Sequence, residues 1–362
     1  FTDDERAMMV RNLNNQKNAI AALHRIAIDN SVAPVLVFDP LPAGASLPEK
    51  ARQPMRRERV PIMTRPGPLE ELAFEPIARL SELIRTRRVK PTELTAMYLS
   101  RLQRFDPQLH CVISLTESRA MTQARAADSE ISAGKYRGPL HGIPWGAKDL
   151  LATRGYKTTW GAGPYRNQTI DADAEVVKRL DNAGAILVAK LTLGELAQGD
   201  NWFGGITRNP WWPEQGSSGS SAGPASATAA GLVGFSIGTE TLGSISSPAT
   251  RCGVSGLRPT FGRVPRTGAM ALAWSMDKIG PMCRSAADCN TVLQAIMGDD
   301  ENDPTTRGVY PPGKPRWIAS SIHQGTSRGL RIGIMPASYE KVQPAVRENF
   351  LRSVEVLGKQ GH

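Results

Sequence analysis

Apolar residues along this 362-residue chain recur at helical spacing in several stretches and run without interruption in one. Ile77, Leu80, Leu83 and Ile84 fall on one face of a 3.6-residue period and predict a helix. Pro91 then opens a second helix at about Thr92, with Leu94, Met97, Tyr98 and Leu102 on one stripe. Glu175 to Asn182 reads as a third helix, stopped at Gly184, and Ala185-Ile-Leu-Val-Ala189 as a strand buried on both faces. A helix leading into a wholly apolar strand indicates an α/β layered fold.

The two ends of the chain read differently. Asp3, Asp4 and Glu5 suit a first helical turn, and the spaced apolar residues after them predict an amphipathic helix between Thr2 and Asn30. From Ala33 to Pro68, eight prolines preclude a continuous helix and mark an irregular arm. Residues 1–68 are therefore assigned to an N-terminal helix and proline-rich arm, and 69–362 to the main domain. Near the other end, Arg331-Ile-Gly-Ile-Met335 predicts a strand and Ala345 to Leu357 a helix. Between Gly216 and Gly243, serine, glycine and alanine dominate, yet Ala229, Leu232, Val233, Phe235 and Ile237 supply core residues. That segment is expected to be ordered, with small residues that let backbone and ligand approach closely.

A chain of this length buries most of its apolar surface without disulfides. Cys111, Cys252, Cys283 and Cys289 form no CxxC pair and have no histidine at ligand spacing, so buried thiols are expected and no metal site. The formal charge of +10 raises the question of an anionic partner. The basic residues lie in short runs, such as Arg56-Arg57-Glu58-Arg59, without aromatic interleaving, so no nucleic acid is expected. No apolar stretch reaches the roughly 20 residues of a membrane-spanning helix. The first residue, Phe1, leaves the compartment open, with the cytoplasm favoured over export.

Three blocks carry the chemistry. They are Gly138-Pro-Leu-His-Gly-Ile-Pro-Trp-Gly-Ala-Lys148-Asp149, Gly219-Ser220-Ser221-Ala222-Gly223, and Gly238-Thr-Glu-Thr-Leu-Gly-Ser244-Ile245-Ser-Ser-Pro248. With Cys252-Gly-Val-Ser-Gly-Leu-Arg-Pro-Thr-Phe-Gly-Arg263 and Ala273-Trp-Ser-Met-Asp-Lys-Ile-Gly-Pro281, the chain from about Ala73 onward resembles the amidase signature family. Ser220 and Ser244 stand 24 residues apart, the interval that family keeps. The resemblance implies a mixed central β-sheet covered by helices on both faces, in a family that continues beyond the last residue here.

It also implies amide hydrolysis through an acyl-enzyme on Ser244, with Ser220 as relay and Lys148 as base. A lysine with an ordinary pKa near 10.4 is neutral in only about one molecule in 2,500 at pH 7, so such a base must be depressed. Ile143, Pro144, Trp145 and Ala147 supply apolar neighbours that would desolvate it. The family further implies a cis peptide at Gly219-Ser220 and an oxyanion hole from the backbone N–H groups of Thr241, Leu242, Gly243 and Ser244. Ser221 and Trp202 are candidate substrate contacts, no metal or organic cofactor is called for, and the partner is a small-molecule amide, with a homo-oligomer open. The sequence departs from the family at Leu242, where glycine is usual, at Glu240 for aspartate, at Ser246 for arginine, and at Ala222 for glycine.

Competing readings attach to the same residues. Lys148 alone would read as a surface lysine at a strand end, paired with Asp149. Gly219-Ser-Ser-Ala-Gly223 formally fits a nucleophile elbow centred on Ser221, for a Ser-His-Asp hydrolase with His323 or His362. An elbow needs a buried strand just before its serine, and Asn209-Pro-Trp-Trp-Pro-Glu-Gln-Gly216 does not provide one. His141 is expected to orient backbone. Trp160, Trp202, Phe203, Trp211 and Trp212 are candidates for an acyl-binding cleft, against the commoner role of aromatics in packing. An amidotransferase-type subunit, or an inactive relative that binds a partner, remains the alternative to a standalone hydrolase.

Overall fold

The computed structural model of the chain describes residues 2–27, 67–306 and 332–359. The proline-rich arm lies almost wholly outside these residues, as do His323 and His362. The described residues belong to two compact units, one containing 2–27 and 67–306 and the other 332–359.

In the first unit α1 (Asp3–Leu23) begins at an N-cap where Thr2 Oγ1 accepts from the Glu5 amide and Glu5 returns the bond to the Thr2 amide. None of its side chains is buried. After residue 67 come α2 (Ile77–Arg85), α3 (Pro91–Leu109), β1 (Val112–Leu115), α4 (Glu117–Ser132), β2 (Pro144–Lys148), α5 (Glu175–Asn182) and β3 (Ile186–Leu191). Two short hairpins follow, β4 (Asn201–Trp202) with β5 (Gly205–Ile206) and β6 (Arg208–Asn209) with β7 (Trp212–Gly216). The unit continues through α6 (Ala222–Ala229), β8 (Phe235–Glu240), α7 (Ser246–Cys252), β9 (Ser255–Gly256), β10 (Lys278–Cys283) and α8 (Ala286–Ile296). Helices α2, α3 and α5 fall where the apolar spacing places them.

β3 shows why the sheet sits at the centre. All six of its residues are buried; Leu187 enters one apolar cluster, while Ile186, Val188 and Leu191 enter the other. Alternation over Ile186, Leu187 and Val188 feeds two layers, and a register irregularity against β2 then turns Ala189 and Leu191 to the second. On one face Trp145, Leu187 and Phe235 pack with α5 and α8. On the other, Ile186 and Val188 meet Leu99 and Leu102 of α3, Ala120 and Ala124 of α4, and Ala227 of α6. The sheet order is β1-β3-β2-β8-β10-β9. β2 is parallel to both β3 and β8, whereas β1, β10 and β9 run antiparallel to their neighbours. The mixed sheet with helices on both faces is the architecture the family resemblance implies. Because β2 and β8 are adjacent and parallel, their carboxyl ends, Lys148 and Glu240, open on the same edge, the usual ligand edge of such sheets.

In the second unit α9 (Pro344–Lys359) matches the expected helix. Ile332 to Met335 form no strand. These residues are exposed and pair with no strand among the described residues, and without a neighbouring strand an apolar run has no ladder to join.

The four cysteines are free and buried. Asp149 is not the partner of Lys148: the two are consecutive, and Asp149 Oδ1 instead meets Lys190 Nζ at 2.7 Å, with both side chains fully buried. Asp149 also accepts from the Thr159 amide at 2.7 Å and hydroxyl at 2.6 Å. Lys190 donates to Lys157 O and Thr158 Oγ1, each at 3.1 Å. Burial lowers the Lys190 pKa and Asp149 opposes that shift. Asp149→Ala would strand a buried ammonium and is expected to destabilise the protein by about 3–5 kcal/mol in equilibrium urea unfolding. A loss under about 1 kcal/mol would contradict the pairing.

Candidate active site

β2 delivers Lys148 into the interior, since all five of its residues are buried. Nζ lies 2.8 Å from Ser220 Oγ, 3.0 Å from Ser221 Oγ and 2.9 Å from Thr239 Oγ1. The side chain is fully buried and has no carboxylate within ion-pair distance among the described residues. Burial pushes its pKa well below the ordinary lysine value; the more distant charges of Asp277 and Glu240 only oppose this.

The two serines come from a tightly constrained turn between β7 and α6. Ser218 donates its amide to Asp200 Oδ2 at 2.8 Å, and the peptide from Gly219 to Ser220 is cis. A side chain at position 219 would place its Cβ 1.8 Å from Gly199 O, so only glycine fits. Ser221 is the N-cap of α6, and its amide donates to Ser244 O at 3.0 Å, tying this turn to the loop after β8. The Ser221 hydroxyl donates to Thr239 O at 3.0 Å and accepts from the Thr239 amide at 3.1 Å.

Ser244 sits in the loop between β8 and α7, which Glu240 organises. Its Oε2 accepts from the amides of Ile245 and Ser246, each at 2.8 Å, and from Ser246 Oγ at 3.0 Å. Burial alone would raise the Glu240 pKa, but the amides of Ser246 and Ile245 and the Ser246 hydroxyl outweigh it and hold the carboxyl below its ordinary value. Two departures from the family pattern, Glu240 and Ser246, are therefore partners. A third is harmless to the backbone: Gly243 takes the left-handed φ of +88°, and Leu242 does not need it. The Leu242 side chain is 83% exposed. Thr241 is clamped from the side, its hydroxyl donating to Asp277 Oδ1 at 2.5 Å and its carbonyl accepting from Lys278 Nζ at 3.0 Å. The amides of Leu242 and Ser244 make no hydrogen bond to any described residue.

A cavity of about 760 Å³ opens on this edge, with Ser220, Thr239, Thr241 and Ser244 on its wall. Lys148 and Ser221 lie behind the wall. Ser220 and Thr239 are thus the residues on the wall whose hydroxyls reach the buried amine. No hydrogen bond joins Ser220 Oγ to Ser244 Oγ. Trp202 packs edge-on against Phe203 and does not line the cavity, and Trp160, Trp211 and Trp212 are absent from its wall as well. Trp211 donates to Cys252 O at 2.7 Å. The segment before Ser221 is the exposed hairpin strand β7, not the buried strand an elbow requires. His141 sits beyond the opposite end of β2, where its Nδ1 accepts from the Arg137 amide at 3.1 Å, the backbone-orienting role expected of it.

Sequence reading missed Thr239, Asp277 and Lys278. All three lie inside the motif blocks, and the signal was available in β8: an alternating strand that buries Ser236 and Phe235 must turn some polar positions toward the Lys148 side. Their partners are set by pairing between β8 and β10, which no single block discloses.

The family model for amidases matches residues 93–362. The chain is 39% identical over 290 residues to a glutamyl-tRNA(Gln) amidotransferase subunit of Roseiflexus castenholzii, a match that covers 79% of this chain and 58% of that protein. Among solved structures, the native peptide amidase from Stenotrophomonas maltophilia superposes with a TM-score of 0.72 at 36% identity, over 81% of this chain and 61% of that one. A glutamyl-tRNA(Gln) amidotransferase subunit from Thermotoga maritima gives 0.58 at 32% identity, over 67% and 50%. The chain belongs to the amidase family. It spans about three fifths of the length of these curated relatives, 58% in the Roseiflexus case.

Because the folded pKa of Glu240 is lowered, its hold on the loop is present above the ordinary carboxylate range and is lost as pH falls through the lowered value. Hydrogen exchange at residues 241–246 is expected to accelerate over that acidic window in the native protein, and Glu240→Ala should show the fast exchange already at neutral pH. Equal protection in the two proteins at neutral pH would contradict the assignment.

Proposed function

We propose that the chain cleaves carboxylic amides through an acyl-enzyme on Ser244, with Ser220 and Lys148 moving the proton. The observation that carries this is the fully buried Lys148 Nζ, 2.8 Å from a Ser220 hydroxyl that shares a cavity wall with Ser244. Proton counting supports the direction of transfer. The Ser221 hydroxyl hydrogen is committed to Thr239 O, so Ser221 Oγ can only accept from Lys148. A neutral amine has two N–H groups and one lone pair. With its N–H groups given to Ser221 Oγ and to Thr239, whose Oγ1 and carbonyl lie at 2.9 and 3.4 Å, the lone pair would face the Ser220 hydroxyl.

In the reaction the Ser244 hydroxyl adds to the amide carbon. Its proton passes to Ser220 Oγ as the Ser220 proton passes to Lys148 Nζ. The Leu242 and Ser244 amides, without a hydrogen-bond partner among the described residues, would receive the developing oxyanion, each donor being worth about a hundredfold in rate. Collapse breaks the C–N bond, the leaving nitrogen takes the relayed proton, and water then hydrolyses the ester. The amidotransferase subunits among the relatives favour a second reading, in which the same steps take ammonia from an amide for transfer to an acceptor held by another protein. Turnover of glutamine that rises when an acceptor-carrying partner is added would select it; turnover of simple amides by the chain alone selects the first.

A fluorophosphonate probe followed by peptide mapping is expected to label Ser244, and Ser244→Ala should abolish labelling. Label on Ser221 would support the elbow instead. Lys148→Ala should lose at least ~10²-fold in kcat/KM while remaining folded. Since the base is the neutral amine and its pKa is depressed, kcat/KM should rise with pH and level off well below the ordinary lysine range near 10.4. A limb that stays at about that ordinary value would contradict a buried lysine base.

A further inference from the structure

The cavity wall holds a cation that the chemistry above leaves unused. Lys278 opens β10 directly across from Glu240 of β8, a pairing that would ordinarily bring the two charges together. Glu240 is turned away, its carboxylate committed to the Ile245 and Ser246 amides, with Arg258 3.7 Å from its other oxygen. Asp277, the neighbouring carboxylate, accepts from the Thr241 hydroxyl and from the Leu272 and Ala273 amides at 2.7 and 3.0 Å. Arg266 on the same wall is paired with Asp303 at 3.3 Å. Lys278 is left with one acceptor, Thr241 O, and with no carboxylate in ion-pair range among the described residues. An ammonium has three donors, so two remain available in a half-buried position beside the nucleophile loop.

Resting on the amide-hydrolase reading, we infer that Lys278 is a specificity-determining residue that receives a carboxylate on the acyl portion of the substrate. When a primary amide is cleaved the departing group is ammonia, so the acyl portion fills the cavity and its far end can meet the wall. Leu272, Trp274 and Phe261 on that wall suit a short hydrocarbon chain, and Lys278 suits its terminal charge. The substrate class is then the monoamide of a dicarboxylic acid. The charge-assisted bond to a partly desolvated ammonium supplies the discrimination.

The test compares kcat/KM for succinamate and glutaramate with that for their uncharged counterparts butyramide and valeramide. Wild-type protein is expected to favour the anionic member by about tenfold or more, the scale of a charge-assisted hydrogen bond. Lys278→Met should bring the ratio to about one, and Lys278→Glu should invert preference toward 4-aminobutyramide over butyramide, with circular dichroism reporting that both variants fold. Neutral amides turned over as well as anionic ones, or a preference that survives in Lys278→Met, would overturn the inference while leaving the hydrolase reading intact. Absence of any amide turnover together with absence of Ser244 labelling is the separate failure of the parent reading.

Discussion

The site depends on keeping an amine out of water without giving it a counter-ion. A buried ammonium is ordinarily rescued by a carboxylate, as Asp149 rescues Lys190 one strand away. Lys148 is denied that rescue. Its neighbours are three hydroxyls and the Thr239 carbonyl, none of them charged, so burial tips the balance toward the neutral form. The adjacent Lys148 and Asp149 thus meet opposite fates through strand geometry alone: successive residues face opposite sides, and Lys190 is on the Asp149 side.

The same sheet geometry brings the remaining groups together. Parallel pairing of β2 with β8 puts Lys148 and the loop after Glu240 on one edge, and the antiparallel return of β10 adds Asp277 and Lys278. The Ser220 turn is joined to that edge by the Ser221 amide bonding Ser244 O. Each loop is then locked by a polar side chain at its base, Asp200 under Ser218 and Glu240 under Ser246. Leu242, beside these anchored residues, projects into solvent.

Much of this was legible in the sequence where information is local. The helix over 175–182 and the buried strand after it follow from periodicity and a glycine stop, and the three motif blocks single out Lys148, Ser220 and Ser244. What was not legible is pairing. Thr239 as a Lys148 neighbour, Lys190 as the partner of Asp149, and the mutual contact of Glu240 with Ser246 each depend on a fold-level juxtaposition or on how far a side chain reaches. The strand predicted at 331–335 failed for the related reason that an apolar run specifies a strand only where another strand lies alongside, and Ile332 to Met335 have none among the described residues. The aromatic residues around 202 and 211 stand apart from the cavity wall: Trp202 packs against Phe203, Trp211 and Trp212 are exposed, and the wall holds Trp274.

The charge state of one amine tests the account most directly. Lysine labelled with nitrogen-15 and carbon-13, with Lys148 assigned by comparison with Lys148→Arg, reports protonation of Nζ through its chemical shifts as pH is varied. The account predicts that this single signal titrates well below the surface lysines and reads as a neutral amine at the pH where the proposed acylation of Ser244 is assayed. A Lys148 signal that stays protonated alongside the surface lysines, up to their ordinary range near 10.4, would contradict it.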